Sequence, residues 1–230
     1  MIYRKEFIVI KSNIRYLMII INFVLAYTHV YKNAVLKADV FSNKNVMEIL
    51  VYSFVTIISI ALALNEIISS LKGFNSDNIN DALSYTILAL LISSVFSIFI
   101  TNNTTNNMYD KSVLVLLINI MISVVLVPIY EEIVFRLAFY KLSSCILNIS
   151  NNKMLLISIN AILFSFLHLI NFKDINWIQF IPYFGVYLVL GIATSYIYLK
   201  KDNIVSSILL HSFWNGFMYL GSLAVTLTRK

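Results

Sequence analysis

The sequence has few charged residues, few prolines and glycines, and one cysteine. Only 12% of its 230 residues are Asp, Glu, Lys or Arg, against about 25% in soluble domains. The hydrophobic share is 60% and the mean hydropathy is +0.84. This composition excludes an ordinary soluble domain and indicates a membrane protein. The single cysteine, Cys145, excludes an intrachain disulfide and a zinc cluster built from cysteines.

Positive charge is spread thinly along the chain. The formal net charge of +6 contains no long basic tract, so a nucleic-acid partner is not predicted. Lys and Arg beside apolar runs indicate contact with lipid headgroups instead. No small-residue cleavage site follows the apolar run from Tyr16 to Val30, so we expect a retained first span rather than a signal peptide. The bias towards Asn, Ile and Lys favours a bacterial cell membrane, which the chain would cross several times.

Long apolar runs, separated by short polar segments, continue along most of the chain. A span needs roughly 20 apolar residues, and no alternating pattern of a membrane barrel is present. Helices satisfy backbone hydrogen bonds in lipid, so the predicted fold class is all-α, a polytopic transmembrane helical bundle. The predicted spans are Ile14–Tyr31, Val46–Leu71, Ala82–Ile100, Ser112–Val127, Glu131–Asn148, Met154–Phe172, Trp177–Leu199 and Ile204–Val225.

The run from Ser112 to Asn148 is too long for one straight span, at roughly 55 Å as a single helix. Pro128 lacks a backbone donor and its ring clashes with the preceding turn, so we expect a break there. This division gives about eight helices. Seven remain if one half of the run lies at the membrane interface.

Two glutamates and an arginine interrupt the apolar stretch VPIYEEIVFR. Ionisable residues within a membrane are costly, which makes each one a candidate functional residue. Glu132 and Arg136 are four residues apart and can pair on one helix face, whereas Glu131 points about 100° away. We therefore expect a structural ion pair and a free carboxylate on Glu131, whose poor solvation would make it a stronger base. The alternative is a purely structural cluster, or acidic residues that favour the start of a helix.

His168 follows Phe164 by one helical turn in the pattern F-x-x-x-H. If the chain reverses near Ser150, antiparallel helices place Glu131 and His168 within roughly 2 Å of the same depth. A water could then bridge the carboxylate and the imidazole. Taken alone, His168 would fit better as a core histidine.

His211 and Asn215 form the pattern H-x-x-x-N on one face of the last apolar run. Two convergent donors suit a developing oxyanion, although a hydrogen bond between helices is the simpler interpretation of this pair alone. The third histidine, His29, lies at the end of the first run and is predicted to be interfacial.

These three patterns, in this order and within the last half of the chain, resemble the CPBP family of intramembrane proteases, the CAAX-protease and bacteriocin-processing group also called the Abi family. The resemblance implies one membrane domain over residues 1–230, with accessory spans in 1–111 and a catalytic core in 112–225. It implies that Glu131 and His168 activate water and that His211 and Asn215 stabilise the oxyanion. Glu132 and Arg136 would support them as an ion pair, with Phe164 packing nearby.

No cofactor is favoured, because the zinc-protease motif H-E-x-x-H is absent. The alternative is a catalytic zinc ion held by Glu131, His168 and His211, a donor set of the type that zinc accepts.

The predicted activity is endopeptidase cleavage of a membrane-associated peptide or protein. A bacteriocin or signalling peptide fits a bacterial membrane better than a prenylated protein. The main alternative is a non-catalytic immunity or regulatory scaffold that binds a peptide or membrane partner. A proton-coupled transporter fits less well, because inverted repeats are not evident.

Overall fold

The computed structural model describes residues 2–27, 44–100, 113–146, 152–170 and 177–228. These ranges contain eight helices and no strand, which confirms the all-α fold class. The helices are α1 (Ile2–Tyr27), α2 (Lys44–Leu62), α3 (Leu64–Lys72), α4 (Ser76–Ser97), α5 (residues 113–146), α6 (Lys153–Ile170), α7 (Trp177–Lys201) and α8 (Ile204–Thr228).

Four of the described helices are long and apolar enough to cross a membrane, and the bent pair α2–α3 would make a fifth. The four are α4, α5, α6 and α7. Large apolar side chains cover their outer faces; Leu91 is 65% exposed and Ile178 is 81% exposed. Exposed apolar surface of this extent suits acyl chains rather than water. The chain is an integral membrane protein, and fewer of its described helices combine the length and the apolar composition of a span than the eight segments predicted.

Pro128 does not break α5, so the predicted break was wrong. The helix continues through Val113–Ile120, a π-helical turn at Met121–Leu126, Val127–Glu132, a second π-helical turn at Ile133–Phe139, and Tyr140–Ile146. The first π turn is wider than an α turn and directly precedes the proline, which gives its ring room. Ser112–Val127 and Glu131–Asn148 were predicted as two spans, and their described residues form one helix.

The predicted span Val46–Leu71 is likewise not one straight helix. It bends by 76° at Ala63, between α2 and α3. The bend brings Glu66 to α1, where Arg15 pairs with it and the Tyr16 hydroxyl donates to it at 3.0 Å. The described ranges therefore contain as many helices as were predicted, although two of the predicted divisions differ.

Close packing of α6 and α7 sets the position of the polar residues in the bundle. Gly191 lies so near Ala161 that an added Cβ would be 2.9 Å from the Ala161 Cα. Small residues allow this approach of two helices in a membrane. At one end of the bundle, Asp81 on α4 pairs with Lys200 and Lys201 of α7 at 3.0 and 2.8 Å. Helix α5 contacts α1, α2 and α8, and its buried segment from Tyr130 to Ala138 lies in the core.

Candidate active site

Glu131 lies inside the bundle with its carboxylate between two imidazoles. Its side chain is nearly buried, and Oε2 is 3.6 Å from Nε2 of His168 and 3.9 Å from Nε2 of His211. The other oxygen, Oε1, accepts a hydrogen bond of 3.4 Å from the Tyr130 hydroxyl. Oε2 has no hydrogen-bond partner in the described part of the chain. A buried carboxylate oxygen without a partner is costly, and here it faces the only imidazoles in the described ranges.

The orientation of His168 is fixed by its own helix and by a neighbouring tyrosine. Its Nδ1 lies 2.9 Å from the Phe164 carbonyl, which can only accept, so Nδ1 carries the hydrogen. In the neutral ring, Nε2 is then an acceptor that faces the acceptor Oε2 of Glu131. A proton or a water hydrogen between these atoms would satisfy both. The ring also stacks on Tyr187, with a centroid distance of 4.4 Å.

Glu132 orients the second imidazole. Its Oε1 lies 2.8 Å from Nδ1 of His211. Its Oε2 accepts a hydrogen bond from the Ser207 hydroxyl and forms an ion pair with Nε of Arg136 at 3.0 Å. Glu132 and Arg136 have no solvent exposure. The arginine holds a charge opposite Glu132, which favours an ionised carboxylate that accepts from Nδ1–H of His211. Nε2 of His211 is thereby directed towards Glu131.

Every polar nitrogen of Arg136 has a partner. Nη1 donates to Oδ1 of Asn160 at 2.6 Å, and Nε and Nη2 both donate to the Thr194 hydroxyl. The guanidinium carbon also lies 4.9 Å above the Phe164 ring. These contacts hold the Glu132–Arg136 pair within the bundle. They use the several donors and the flat face of a guanidinium, which the ammonium of a lysine does not have.

Asn215 contacts helix α5 one turn further along α8 than His211. Its Nδ2 donates at 2.7 Å to the Ser123 carbonyl of α5. The structure therefore brings together Glu131, His168 and His211, with Glu132, Arg136 and Phe164 around them, and places Asn215 one turn further along α8. The catalytic roles of these residues stay predictions. His29 lies outside the described residues, as does the side chain of Cys145.

Three supporting residues were missed by the sequence analysis, namely Asn160, Thr194 and Ser207. The sequence does contain a pattern that indicates Asn160 and Ser207. Asn160 precedes Phe164 by four residues, and Ser207 precedes His211 by four, so each continues a predicted polar face by one turn. Thr194 carries no such signal, because its contact depends on the close approach of α7 to α6.

The alternative zinc ligands Glu131, His168 and His211 converge at Oε2 of Glu131, at spacings wider than those of ligands around a bound zinc ion. In the described residues, no group of three His, Cys, Asp or Glu side chains is arranged to hold a metal ion. Nε2 of each histidine is 3.6 or 3.9 Å from Oε2 of Glu131, whereas ligands of tetrahedral zinc lie roughly 3.3 Å apart, given bonds of about 2.0 Å.

A cavity of about 400 Å³ adjoins the site between α4, α7 and α8. Tyr187, which stacks on His168, and Asn215, which follows His211 on α8, both line it. Its other walls include Ser93, Ser97, Trp214 and Met218. Glu131, His168 and His211 are not among its described lining residues, and Tyr187 connects the cavity to His168.

Fold and site together define a helical membrane protein with a buried centre of one carboxylate and two imidazoles. Residues 112–217, which carry all three motifs, match the family model described as Rce1-like type II CAAX prenyl endopeptidase. The resemblance to the CPBP and CAAX protease group is thereby confirmed for this part of the chain. No curated protein matches the chain, and no solved structure does. The family implies a protease that acts on a membrane-associated substrate.

Proposed function

We propose that the protein is a CPBP-type intramembrane endopeptidase that hydrolyses a peptide bond of a membrane-associated peptide or protein. The observation that carries this proposal is the partnerless Oε2 of Glu131, buried opposite the Nε2 atoms of two histidines. The family match over residues 112–217 supports the reaction class independently.

In the proposed reaction, Glu131 and His168 hold a water molecule and accept its proton. The water oxygen then attacks the carbonyl carbon of the peptide, and the carbonyl oxygen becomes an oxyanion. Collapse of this intermediate breaks the C–N bond. The leaving amine takes the proton that the water gave up, so the products are a carboxylic acid and an amine.

His211 is the oxyanion donor in this proposal. When its ring is protonated, Nδ1–H donates to Glu132 and Nε2–H is free to donate towards the reacting carbonyl. The Glu132 carboxylate stabilises the imidazolium, as the buried acid does in a serine-protease triad. Arg136 and Ser207 hold Glu132 in turn. Asn215 was predicted as the second donor; one N–H of its amide donates to the Ser123 carbonyl, and the other remains for that role.

The cavity beside the site favours an uncharged substrate segment. Among the described residues that line it, none is Asp, Glu, Lys, Arg or His. An ion that entered this space would lose hydration without meeting an opposite charge from these residues. A processed bacteriocin or signalling peptide of a bacterial membrane is the proposed substrate class, with a prenylated protein as the alternative that the family description names.

The test is a proteomic comparison of membranes that carry wild-type protein, Glu131→Gln or Asp77→Asn. Asp77 lies on the exposed first turn of α4 and serves as the matched acid-to-amide control. We expect new peptide termini with the wild type and Asp77→Asn that are absent with Glu131→Gln. Termini that persist with Glu131→Gln would refute the mechanism. A biological activity that persists without cleavage would favour the scaffold.

A further inference from the structure

The Ser123 carbonyl on α5 has lost both of its usual backbone donors. In an α-helix, the N–H of Val127 would donate to the Ser123 carbonyl. Here the Val127 N–H donates to the Ile122 carbonyl, five residues earlier, as in a π turn. In a π-helix the donor to the Ser123 carbonyl would be the N–H of the residue five positions later, which is Pro128 and has none. The π turn and the proline together therefore leave one carbonyl open inside a membrane helix, where such a group is costly.

Asn215 fills this gap from another helix. Its Nδ2 lies 2.7 Å from the Ser123 oxygen and is the donor that the proline cannot supply. The second π turn shows the same arrangement, because Nδ2 of Asn160 on α6 donates to the Phe135 carbonyl. An asparagine from a neighbouring helix thus holds one carbonyl in each π turn.

The two π turns flank the segment that carries Glu131 and Glu132. Helix α8 makes three side-chain hydrogen bonds to this region, from Ser207 and His211 to Glu132 and from Asn215 to Ser123. These residues follow one another at four-residue intervals on α8, so together they fix how far α8 can slide along α5, and Asn215 is the one that contacts the first π turn. They therefore fix the separation between Nε2 of His211 and Oε2 of Glu131.

We propose that Asn215 is a positioning residue, which replaces the missing N–H of Pro128 at the Ser123 carbonyl and so holds the turn that presents Glu131 to His211. This role is additional to that of oxyanion donor, which the resemblance implies and which would use the second N–H of the amide. Its structural part is independent of catalysis, and its kinetic part rests on the proposed function.

A double-mutant cycle on thermal unfolding in detergent tests the structural part. Asn215→Ala should lower the unfolding midpoint by about 2–4 °C, the shift for one lost hydrogen bond in a chain of this size. In a Pro128→Ala background the same substitution should cost less than half as much, because residue 128 then supplies an N–H. Equal shifts in both backgrounds would overturn the proposal.

Two further variants keep this cycle decisive. Asn215→Leu removes the donor but keeps the volume, and it replaces Asn215→Ala if the smaller side chain prevents folding. Thr86→Val is the matched control, since the Thr86 hydroxyl donates to the Leu210 carbonyl on α8 at 3.2 Å, away from the proline. Thr86→Val should lower the unfolding midpoint equally in the wild-type and the Pro128→Ala backgrounds. If its effect also depends on the background, the coupling measured for Asn215 no longer supports the proposal.

Steady-state kinetics at a temperature where all variants are folded test the positioning role. Asn215→Ala should lower kcat by about 10- to 100-fold with little change in KM, and Pro128→Ala should recover part of that loss. If Pro128→Ala reduces the effect of Asn215→Ala on the unfolding midpoint but restores none of the lost kcat, Asn215 acts on the reacting atoms instead. A wild type that cleaves nothing would refute the proposed function, while the unfolding cycle would still decide the structural part.

Discussion

Oε2 of Glu131 lies 3.6 Å from Nε2 of His168, although the two residues belong to different helices. His168 is held by the Phe164 carbonyl at Nδ1 and by the Tyr187 ring on one face. The imidazole is therefore fixed with Nε2 towards the carboxylate. A pair that is already placed in this way needs little reorganisation to take a proton from water.

His168→Gln should abolish most cleavage, because an amide can hydrogen-bond but cannot accept the proton. We expect kcat to fall by roughly 10²- to 10⁴-fold, the usual contribution of a positioned acid or base. The measurement is kcat of purified variants on one cleaved peptide. Ser158→Ala on the exposed side of the same helix should leave kcat unchanged. A His168→Gln variant within tenfold of wild type would remove His168 from the mechanism.

Removal of one partner of the buried ion pair should destabilise the protein strongly. Glu132→Gln leaves the guanidinium of Arg136 buried without a counter-charge, at a cost of about 3–5 kcal/mol in the free energy of unfolding. Asp81→Asn breaks the partly exposed pairs with Lys200 and Lys201, at a cost of about 0–1 kcal/mol. Chemical unfolding in detergent micelles compares the two. Equal losses would contradict the structural role of Glu132.

Gly191→Ala should force α6 and α7 apart. The new Cβ would lie 2.9 Å from the Ala161 Cα, a backbone atom that cannot move by itself. Thr194 and Asn160 would then separate at Arg136, and we expect a loss of about 1–3 kcal/mol together with reduced kcat. Gly221→Ala is the control, since nothing lies within 4 Å of its added Cβ. The same loss in both variants would show that the close approach is unimportant.

Chelators should not inhibit cleavage, since the proposed mechanism uses no metal. Purified protein treated with 1,10-phenanthroline or EDTA is expected to keep its full kcat, because Glu131 and His168 activate the water themselves. The control is a zinc peptidase assayed in the same detergent. Inhibition that added zinc reverses would instead assign Glu131, His168 and His211 as metal ligands.

The arrangement of the site could be predicted where it depends on helix periodicity. The four-residue spacing of Glu132 and Arg136 predicts their ion pair, and the equal depth of Glu131 and His168 predicts their proximity. Both follow from the rise and turn of a single helix or of two antiparallel neighbours. The same reasoning could have identified Asn160 and Ser207, which continue those faces.

The rest depends on interactions between distant residues. Pro128 breaks a helix if the turn before it is α-helical. The turn before it is a π turn instead, so the helix continues. The bend at Ala63 accompanies contacts of Glu66 with Arg15 and Tyr16 on α1, which no local pattern indicates. The orientation of Asn215 likewise follows from an open carbonyl on another helix.

The central claim is that the carboxylate of Glu131 activates the water that cleaves the peptide. Its most direct test is kcat of purified wild type and Glu131→Gln on a peptide that the membrane comparison identifies, with the fold of both checked by their unfolding midpoints. We predict that Glu131→Gln lowers kcat by roughly 10³-fold or more while the protein stays folded. A folded Glu131→Gln variant that keeps more than a tenth of the wild-type kcat would contradict the claim.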